Sequence, residues 1–283
     1  MSDSIKHECG VAMLRLLKPL AYYQEKYGSS IYGLNKMYLL MEKQHNRGQD
    51  GVGLANIKLN VDPGKRYISR KRSVATNPIQ DVFKQVNQRF VELEENDPEK
   101  LKDPQWMKEN MPFTGELFLG HLRYGTFSGN TIEQCHPFLR QSNWKTRNLV
   151  LAGNFNMTNV DELFQQLVDL GQHPKRKVDT VTILEKIGHF LDESNDDIYY
   201  KHKDKFSKKE ITKVIEDELD VQDILTQSAK YWDGGYVMCG LMGHGDAFAL
   251  RDPNAIRPAY YYKDDEIVVV ASERSVIQTS FDV

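Results

Sequence analysis

His7-Glu8-Cys9-Gly10-Val11-Ala12-Met13-Leu14 sets a thiol at the head of an apolar run, behind a short polar leader. Such a run predicts a buried strand over 9–15, and similar runs predict strands over 52–57, 117–123 and 148–152. A later set falls at 235–241, 246–250, 259–262 and 266–271, with Gly243-His244-Gly245-Asp246 and Lys263-Asp264-Asp265 as turn signals. Links this short exclude parallel crossovers, so the later strands are expected to form an antiparallel meander.

Between the two sets the period changes to that of helices. Ile31, Leu34, Met37, Tyr38 and Met41 mark one apolar face. A helix over 161–170 carries Leu163, Phe164, Leu167 and Val168 and stops at Gly171. Another over 180–191 carries Ile183, Leu184, Ile187 and Leu191, with Asp179 as its N-cap, and 211–229 is a further candidate. Strands, then helices, then strands with hairpin-length links imply an α+β protein with antiparallel sheets. Two stretches, about 77–112 and 192–223, read as insertions rich in charged and amide residues. Both are expected as solvated surface helices, the run Lys201-His202-Lys203-Asp204-Lys205 included.

A chain of 283 residues can hold one large domain or two small ones. Its formal net charge of -3 argues against nucleic acid or an anionic membrane as the main partner. The apolar runs are too short to span a bilayer, and the N-terminus lacks the apolar segment of a secretory signal. The three cysteines, Cys9, Cys135 and Cys239, are widely spaced with no CxxC pair. That count without a secretion signal points to reduced thiols in the cytoplasm. No spaced set of His, Asp, Glu and Cys reads as a metal site, so no metal is expected within this chain.

Several residues could carry chemistry. A cysteine attacks amides well, and an N-terminal one brings its own base, an α-amine of pKa roughly 8. An amide nitrogen cannot accept a proton, so Cys9 would need the leader removed. The plainer reading of any cysteine is a small buried hydrophobe, and Cys239 within Val237-Met238-Cys239-Gly240-Leu241 fits it. Arg47-Gly48-Gln49-Asp50 is a polar loop that could be a turn and nothing more. In His121-Leu122-Arg123-Tyr124-Gly125-Thr126, strand alternation puts His121 and Arg123 on one face. A guanidinium there can grip a carboxylate with two prongs or can serve a surface ion pair. Asn154 ends the run before Phe155, and a side-chain amide with a backbone N–H can stabilise an oxyanion. For Asp179, capping alone is a sufficient explanation. Arg251-Asp252-Pro253-Asn254-Ala255-Ile256-Arg257-Pro258 is read as packing between strand ends rather than as a phosphate site.

Taken in order, these segments resemble the class II glutamine amidotransferases, whose glutaminase domain uses an N-terminal cysteine as nucleophile. Glu8-Cys9-Gly10-Val11 resembles the start of the amidophosphoribosyltransferases, which shed a leader by self-cleavage. The turn ending Ile256-Arg257-Pro258 points the same way, rather than to the asparagine or hexosamine types. The resemblance implies an Ntn-hydrolase fold, a four-layer αββα sandwich of two antiparallel sheets. It implies a leader at 1–8 and an amidotransferase domain over 9–283, with a phosphoribosyltransferase domain outside this chain. It makes Cys9 the nucleophile and gives Asn154 and the Phe155 N–H to the oxyanion. It gives Arg123 to the α-carboxylate of glutamine and Asp179 to its ammonium. Thr126, Arg47, Gly48 and His121 are counted with the substrate-binding residues. Three positions depart from the family pattern: Asn46 is additional, and Phe155 and Ala255 stand where glycines are usual.

The implied function is glutamine hydrolysis through a thioester, supplying ammonia for phosphoribosylamine formation in purine synthesis. Glutamine is the implied direct partner, phosphoribosylpyrophosphate that of the other domain, and the full-length protein is expected as a homo-oligomer. Mg2+ is implied only for the phosphoribosyltransferase domain, and no cofactor for this one. The rival readings are another Ntn amidase or class II amidotransferase, and an inactive regulatory domain that keeps its leader.

Overall fold

The run that opens at Gly10 folds as a strand, Gly10–Leu16, which begins one residue after the thiol. It appears in a computed structural model that describes residues 8–125 and 131–283. In chain order the strands are β1 (Gly10–Leu16), β2 (Gly51–Ile57), β3 (Ile68–Ser73), β4 (Leu117–Arg123), β5 (Phe138–Arg140), β6 (Leu149–Met157), β7 (Gly234–Met242), β8 (Ala247–Arg251), β9 (Tyr260–Lys263) and β10 (Ile267–Ala271). The helices are α1 (Leu20–Tyr27), α2 (Tyr32–Lys43), α3 (Pro78–Asn96), α4 (Pro98–Leu101), α5 (Pro104–Asn110), α6 (Val160–Asp169), α7 (Asp179–His202), α8 (Lys208–Glu218), α9 (Val221–Ala229) and α10 (Arg274–Phe281). The chain divides into two compact units. The first takes residues up to Pro137 with Ala152–Asn154 and Pro258–Val283; the second takes Phe138–Leu151 and Phe155–Arg257.

The first unit is built on a six-stranded antiparallel sheet of order β3-β2-β4-β1-β10-β9. β1 is central, with Gly10 opposite Leu122 of β4 and Ala12 opposite Ala271 of β10. Ala12, Leu14 and Leu16 share one face with the buried side chains Leu34, Met37, Leu40 and Met41 of α2, while Val11 and Met13 are buried on the other face. This accounts for an apolar run without alternation. α2 lies close to β4 because two glycines leave room. A Cβ on Gly33 would sit 2.5 Å from the Phe118 ring, and one on Gly120 would sit 2.7 Å from Met41 Sδ.

The stretch at 77–112 is helical as expected, but it is not a solvated skin. α3 buries Ile79, Val82, Phe83, Val86 and Phe90 in the same core as α2, and Phe83 meets the Tyr38 ring edge-on at 5.0 Å. Its apolar residues recur at helical period, a signal that the surrounding Glu, Gln and Asn obscure in composition. β3 went unread because Ile68-Ser69-Arg70-Lys71-Arg72-Ser73 is charged. It is the edge strand beside β2, where charge is tolerated and guards against further pairing.

The second unit holds a four-stranded sheet of order β5-β6-β7-β8, with β5–β6 and β7–β8 antiparallel. Its core joins Leu149, Leu151, Tyr236 and Met238 to Leu163 of α6, to Ile183, Leu184, Ile187 and Leu191 of α7, and to Ile215 and Ile224 of α8 and α9. Each unit thus supplies one sheet and its own helices, as the α+β reading requires. α7 runs to His202, well beyond the expected 191, so the second insertion begins inside a helix. The single helix expected over 211–229 is two. The chain extends at Leu219, and Asp220 caps α9 by accepting from the Asp223 N–H at 3.0 Å. The Lys201 run is tied down as well, since Lys201 and His202 both meet Glu218 of α8 at 2.8 Å.

The expected four-strand meander is also corrected. β7 pairs with β8 and β9 with β10, but the two hairpins belong to different sheets. The turn between them is built on Asp252, whose carboxylate accepts the N–H groups of Ile256, Arg257 and Tyr236 at 2.9, 3.1 and 3.2 Å. Burial alone would raise this acid, but those backbone donors outweigh it and hold it below the usual carboxylate range. The rest of the turn is largely exposed, Pro253, Asn254, Ala255 and Ile256 included, so it is held by Asp252 rather than by the expected packing. Ala255, in place of the glycine, sits at φ 56°, a left-handed backbone.

Two stability predictions follow from these contacts. Phe83→Ala should cost about 3 kcal/mol in urea unfolding, as for a core phenylalanine, whereas a loss below about 1 kcal/mol would return α3 to the surface. Ala255→Gly should stabilise the protein by about 0.5–1 kcal/mol, because the left-handed turn costs alanine more than glycine loses in chain entropy. A lower melting temperature for this variant would refute the strain.

Candidate active site

Cys9 stands just outside β1, half-buried, where Cys135 and Cys239 are fully buried. Burial pushes the Cys135 thiol up to about 11 and the Cys239 thiol up to about 12, which suits packing and not attack. Antiparallel pairing of β1 with β4 sets Cys9 beside the end of β4. There the Tyr124 N–H donates to Cys9 Sγ at 3.4 Å, and the Cys9 thiol in turn faces the Tyr124 carbonyl oxygen at 3.8 Å. The start of β1 is held from the other side by Ser272. Its Oγ accepts from the Val11 N–H at 2.9 Å, and its own N–H donates to the Val11 carbonyl at 3.1 Å.

The polar loop after α2 is a single 3-10 turn, His45–Arg47, with Asn46 at its middle. His45 is exposed, with Nδ1 against the Glu42 carbonyl at 2.7 Å. Arg47 instead turns toward the thiol's segment. Its Nε donates to the Cys9 carbonyl at 3.4 Å, and its guanidinium meets Glu8 at 3.4 Å and Glu273 at 3.6 Å. Gly48 is extended, at φ -163°, so its backbone needs no special freedom. It is glycine for space, because a Cβ there would lie 2.6 Å from the Arg123 carbonyl carbon. Asp50 then fixes the end of β4: its N–H donates to the Arg123 carbonyl at 3.0 Å and its carboxylate accepts from the Gly125 N–H at 2.8 Å.

His121 and Arg123 share a face, as alternation requires, and stand opposite Gly53 and Gly51 of β2. Both are buried, and the Arg123 guanidinium donates to Gln134 Oε1 at 3.1 Å. The missing side chains on β2 make room for the segment after Gln134. A Cβ on Gly51 would sit 2.5 Å from Cys135 Sγ, and one on Gly53 only 1.9 Å from the His136 carbonyl oxygen. His121 reaches the Gly153 carbonyl with Nε2 at 3.1 Å and stacks on His136, and burial lowers it to about 3. It is therefore neutral at physiological pH and sits inside the unit, not on an open pocket wall.

Asn154 is buried, and its Nδ2 donates to the Glu8 carboxylate at 3.3 Å. Glu8 therefore bridges Arg47 and Asn154 directly ahead of Cys9, a role that sequence reading missed because a leader residue carried no signal of its own. Gln134, Asp50 and Glu273 were missed as well, because each acts only through contacts outside its own segment of the chain. The strand expected to end at Asn154 continues to Met157. Phe155 is thus ordinary strand, without the positive φ that its glycine counterpart would permit, and its ring packs on the core of the second unit. Asp179 belongs to the second unit and is the first residue of α7, where Val178 holds the capping position. Its Oδ1 accepts from the Thr180 N–H at 2.7 Å. Thr126 lies outside the described residues.

Comparison with known proteins agrees with the motifs. The amidophosphoribosyltransferase of Pasteurella multocida is 29% identical over 224 residues, covering 79% of this chain and 34% of that protein. The enzyme of the same name from Methanocaldococcus jannaschii is 25% identical over 242 residues, covering 86% of this chain and 39% of the other. This chain is similar to amidophosphoribosyltransferases. It spans only 34–39% of the length of these two curated relatives. Among solved structures, the glutamine phosphoribosylpyrophosphate amidotransferase of B. subtilis, complexed with ADP and GMP, matches 97% of this chain and 43% of its own. At a TM-score of 0.54 and 22% identity that likeness shows the fold. No protein-family model matches the chain.

Burial raises the Asp179 carboxyl above the usual range, against the lowering effect of Thr180. An acid whose folded pKa exceeds its unfolded value of about 4 destabilises the fold as pH rises through that interval, and the penalty persists above it. Asp179→Asn should therefore be more stable than the parent at neutral pH, with the difference shrinking toward pH 4 in urea titrations. Lower stability of the variant at both pH values would mean that the carboxylate is required for folding.

Proposed function

We propose that residues 9–283 form a glutaminase unit, that residues 1–8 are a leader removed ahead of Cys9, and that Cys9 hydrolyses the side-chain amide of glutamine. The observation that carries this reading is the Cys9 sulfur beside the Tyr124 N–H, at the end of the strand that bears Arg123. The similarity to amidophosphoribosyltransferases over about four fifths of the chain supports it.

The steps follow from these groups. With the leader gone, the Cys9 α-amine takes the thiol proton, directly or through one water. The sulfur attacks the amide carbon, and the carbonyl electrons move to oxygen. Asn154 Nδ2 and the Phe155 N–H are the assigned donors to that oxyanion. Collapse breaks the C–N bond, the amine's proton goes to the leaving nitrogen, and ammonia departs. Water then cleaves the thioester, giving glutamate and restoring the thiol. Arg123 is assigned to the α-carboxylate and Asp179 to the ammonium, with Thr126 a further contact. Before cleavage the Cys9 nitrogen is an amide and cannot act as base, and the Glu8 carboxylate engages Asn154.

The ammonia is then proposed to form phosphoribosylamine from phosphoribosylpyrophosphate for purine synthesis, on a Mg2+-dependent domain outside these residues. The full-length protein is proposed to be a cytoplasmic homo-oligomer.

Intact mass of the purified protein should show loss of the first eight residues. The processed protein should release ammonia from glutamine, and Cys9→Ala should abolish this with an unchanged melting curve. Ammonia release by Cys9→Ala at the parental rate would dismiss the nucleophile. Arg123→Lys should lower kcat/KM about tens- to a hundredfold, because a point charge cannot replace a two-pronged grip worth about 2–3 kcal/mol. Unchanged kinetics would remove Arg123 from the glutamine site.

A further inference from the structure

His121 and His136 form a buried pair of imidazoles that the proposed steps leave unused. Their rings stack with centroids 4.2 Å apart and planes inclined by 29°. Both close on one residue. His121 Nε2 lies 3.1 Å from the Gly153 carbonyl oxygen, and the Gly153 N–H donates to His136 Nδ1 at 3.3 Å. These contacts fix the tautomers, since the first nitrogen must carry a proton and the second must not. His136 is therefore the neutral Nε2–H tautomer, and His121, which burial keeps neutral, carries its proton on Nε2 as well. His121 Nδ1 has no hydrogen-bond partner among the described residues.

The pair stands where a strand would otherwise be. β5 pairs with β6 as far as Phe138 opposite Leu151, and the residue before Phe138 is Pro137, which has no N–H to give. Two residues further along β6, Gly153 presents its backbone groups in the direction of a ladder that has ended. A buried, unpaired N–H and C=O would each cost stability, and the two imidazoles supply the missing donor and acceptor. Asn154 follows directly.

We propose that the stacked His121–His136 pair is a positioning clamp on Gly153, which holds the backbone leading into Asn154 and so aims the Asn154 side-chain amide. The proposal rests on the reading of Asn154 as an oxyanion donor. Neither histidine is a catalytic residue on this view, and His121 does not touch glutamine. A clamp lost from one side lets the amide drift by a fraction of an ångström to an ångström, and a misplacement of that size costs up to about a hundredfold in rate.

The test uses the processed protein and reads kcat and KM for glutamine together with thermal unfolding. His121→Phe keeps an aromatic ring against His136 but removes the donor to Gly153. It should lower kcat on the order of ten- to a hundredfold at an unchanged KM, and His121→Gln, which restores an N–H donor, should recover most of the loss. A parental kcat in a folded His121→Phe protein overturns the clamp and leaves the glutaminase reading standing. A raised KM at parental kcat also overturns it, and makes His121 a substrate contact. A parent that releases no ammonia fails the glutaminase reading itself, and the clamp falls with it. A second measurement needs no variant to fold: 15N NMR of the histidine rings in the parent. Both should be neutral Nε2–H tautomers from about pH 5 to 8, the range in which a free histidine titrates. Titration of either ring in that range, or a proton on His136 Nδ1, overturns the proposal.

Discussion

β1 is paired along both edges, to β4 and to β10, and both of its faces are buried. A strand held on four sides cannot slip in register, because a one-residue shift would exchange Ala12, Leu14 and Leu16 for Val11 and Met13 against α2. The chain before Gly10 therefore emerges at one place, beside the end of β4. Cys9 meets the Tyr124 N–H there, Ser272 pins the residue after Gly10, and Arg47 holds the Cys9 carbonyl. The thiol is positioned by a strand paired on both edges and buried on both faces, while it remains half-buried itself.

Glycine on β2 answers the next requirement, that buried polar side chains have space and partners. Gly51 and Gly53 lie opposite Arg123 and His121 and clear the face on which Cys135 and His136 settle. Gly48 lets the loop after α2 press on the Arg123 backbone. Had these positions carried side chains, the segment at 134–136 would be displaced, and Arg123 and His121 would lose Gln134 and the stacked ring. A buried guanidinium without a partner is among the costliest groups a core can hold. The glycines and the buried polar residues therefore depend on one another.

The three positions expected to depart from the amidotransferase pattern sit in different physical settings. Asn46 is at the middle of a 3-10 turn whose last residue, Arg47, is directed at Cys9. Phe155 continues a strand and spends its ring on core packing, so the glycine's conformational freedom is not used there. Ala255 does occupy a left-handed turn, and that turn survives because the Asp252 carboxylate gathers three backbone N–H groups around it.

Periodicity in the sequence was enough to determine the α+β class, most strands and helices, and the common face of His121 and Arg123. These are local consequences of which side chains repeat at two or near three and a half residues. Local sequence also carried the motifs, since Cys9, Arg47, Arg123 and Asn154 each stand in a short quotable segment. What it could not carry were choices made by neighbours distant in the chain. Whether β8 continues to β9 depends on which sheet each pairs with, and that was decided by β10 and β7. Whether α3 is skin or core depends on Tyr38 and the rest of the cluster it meets. The bridge from Glu8 to Asn154 and the grip of His121 and His136 on Gly153 join residues far apart in sequence. A hydrogen bond of about 3 Å leaves no trace in either partner's surroundings along the chain, so only the tertiary structure could decide them.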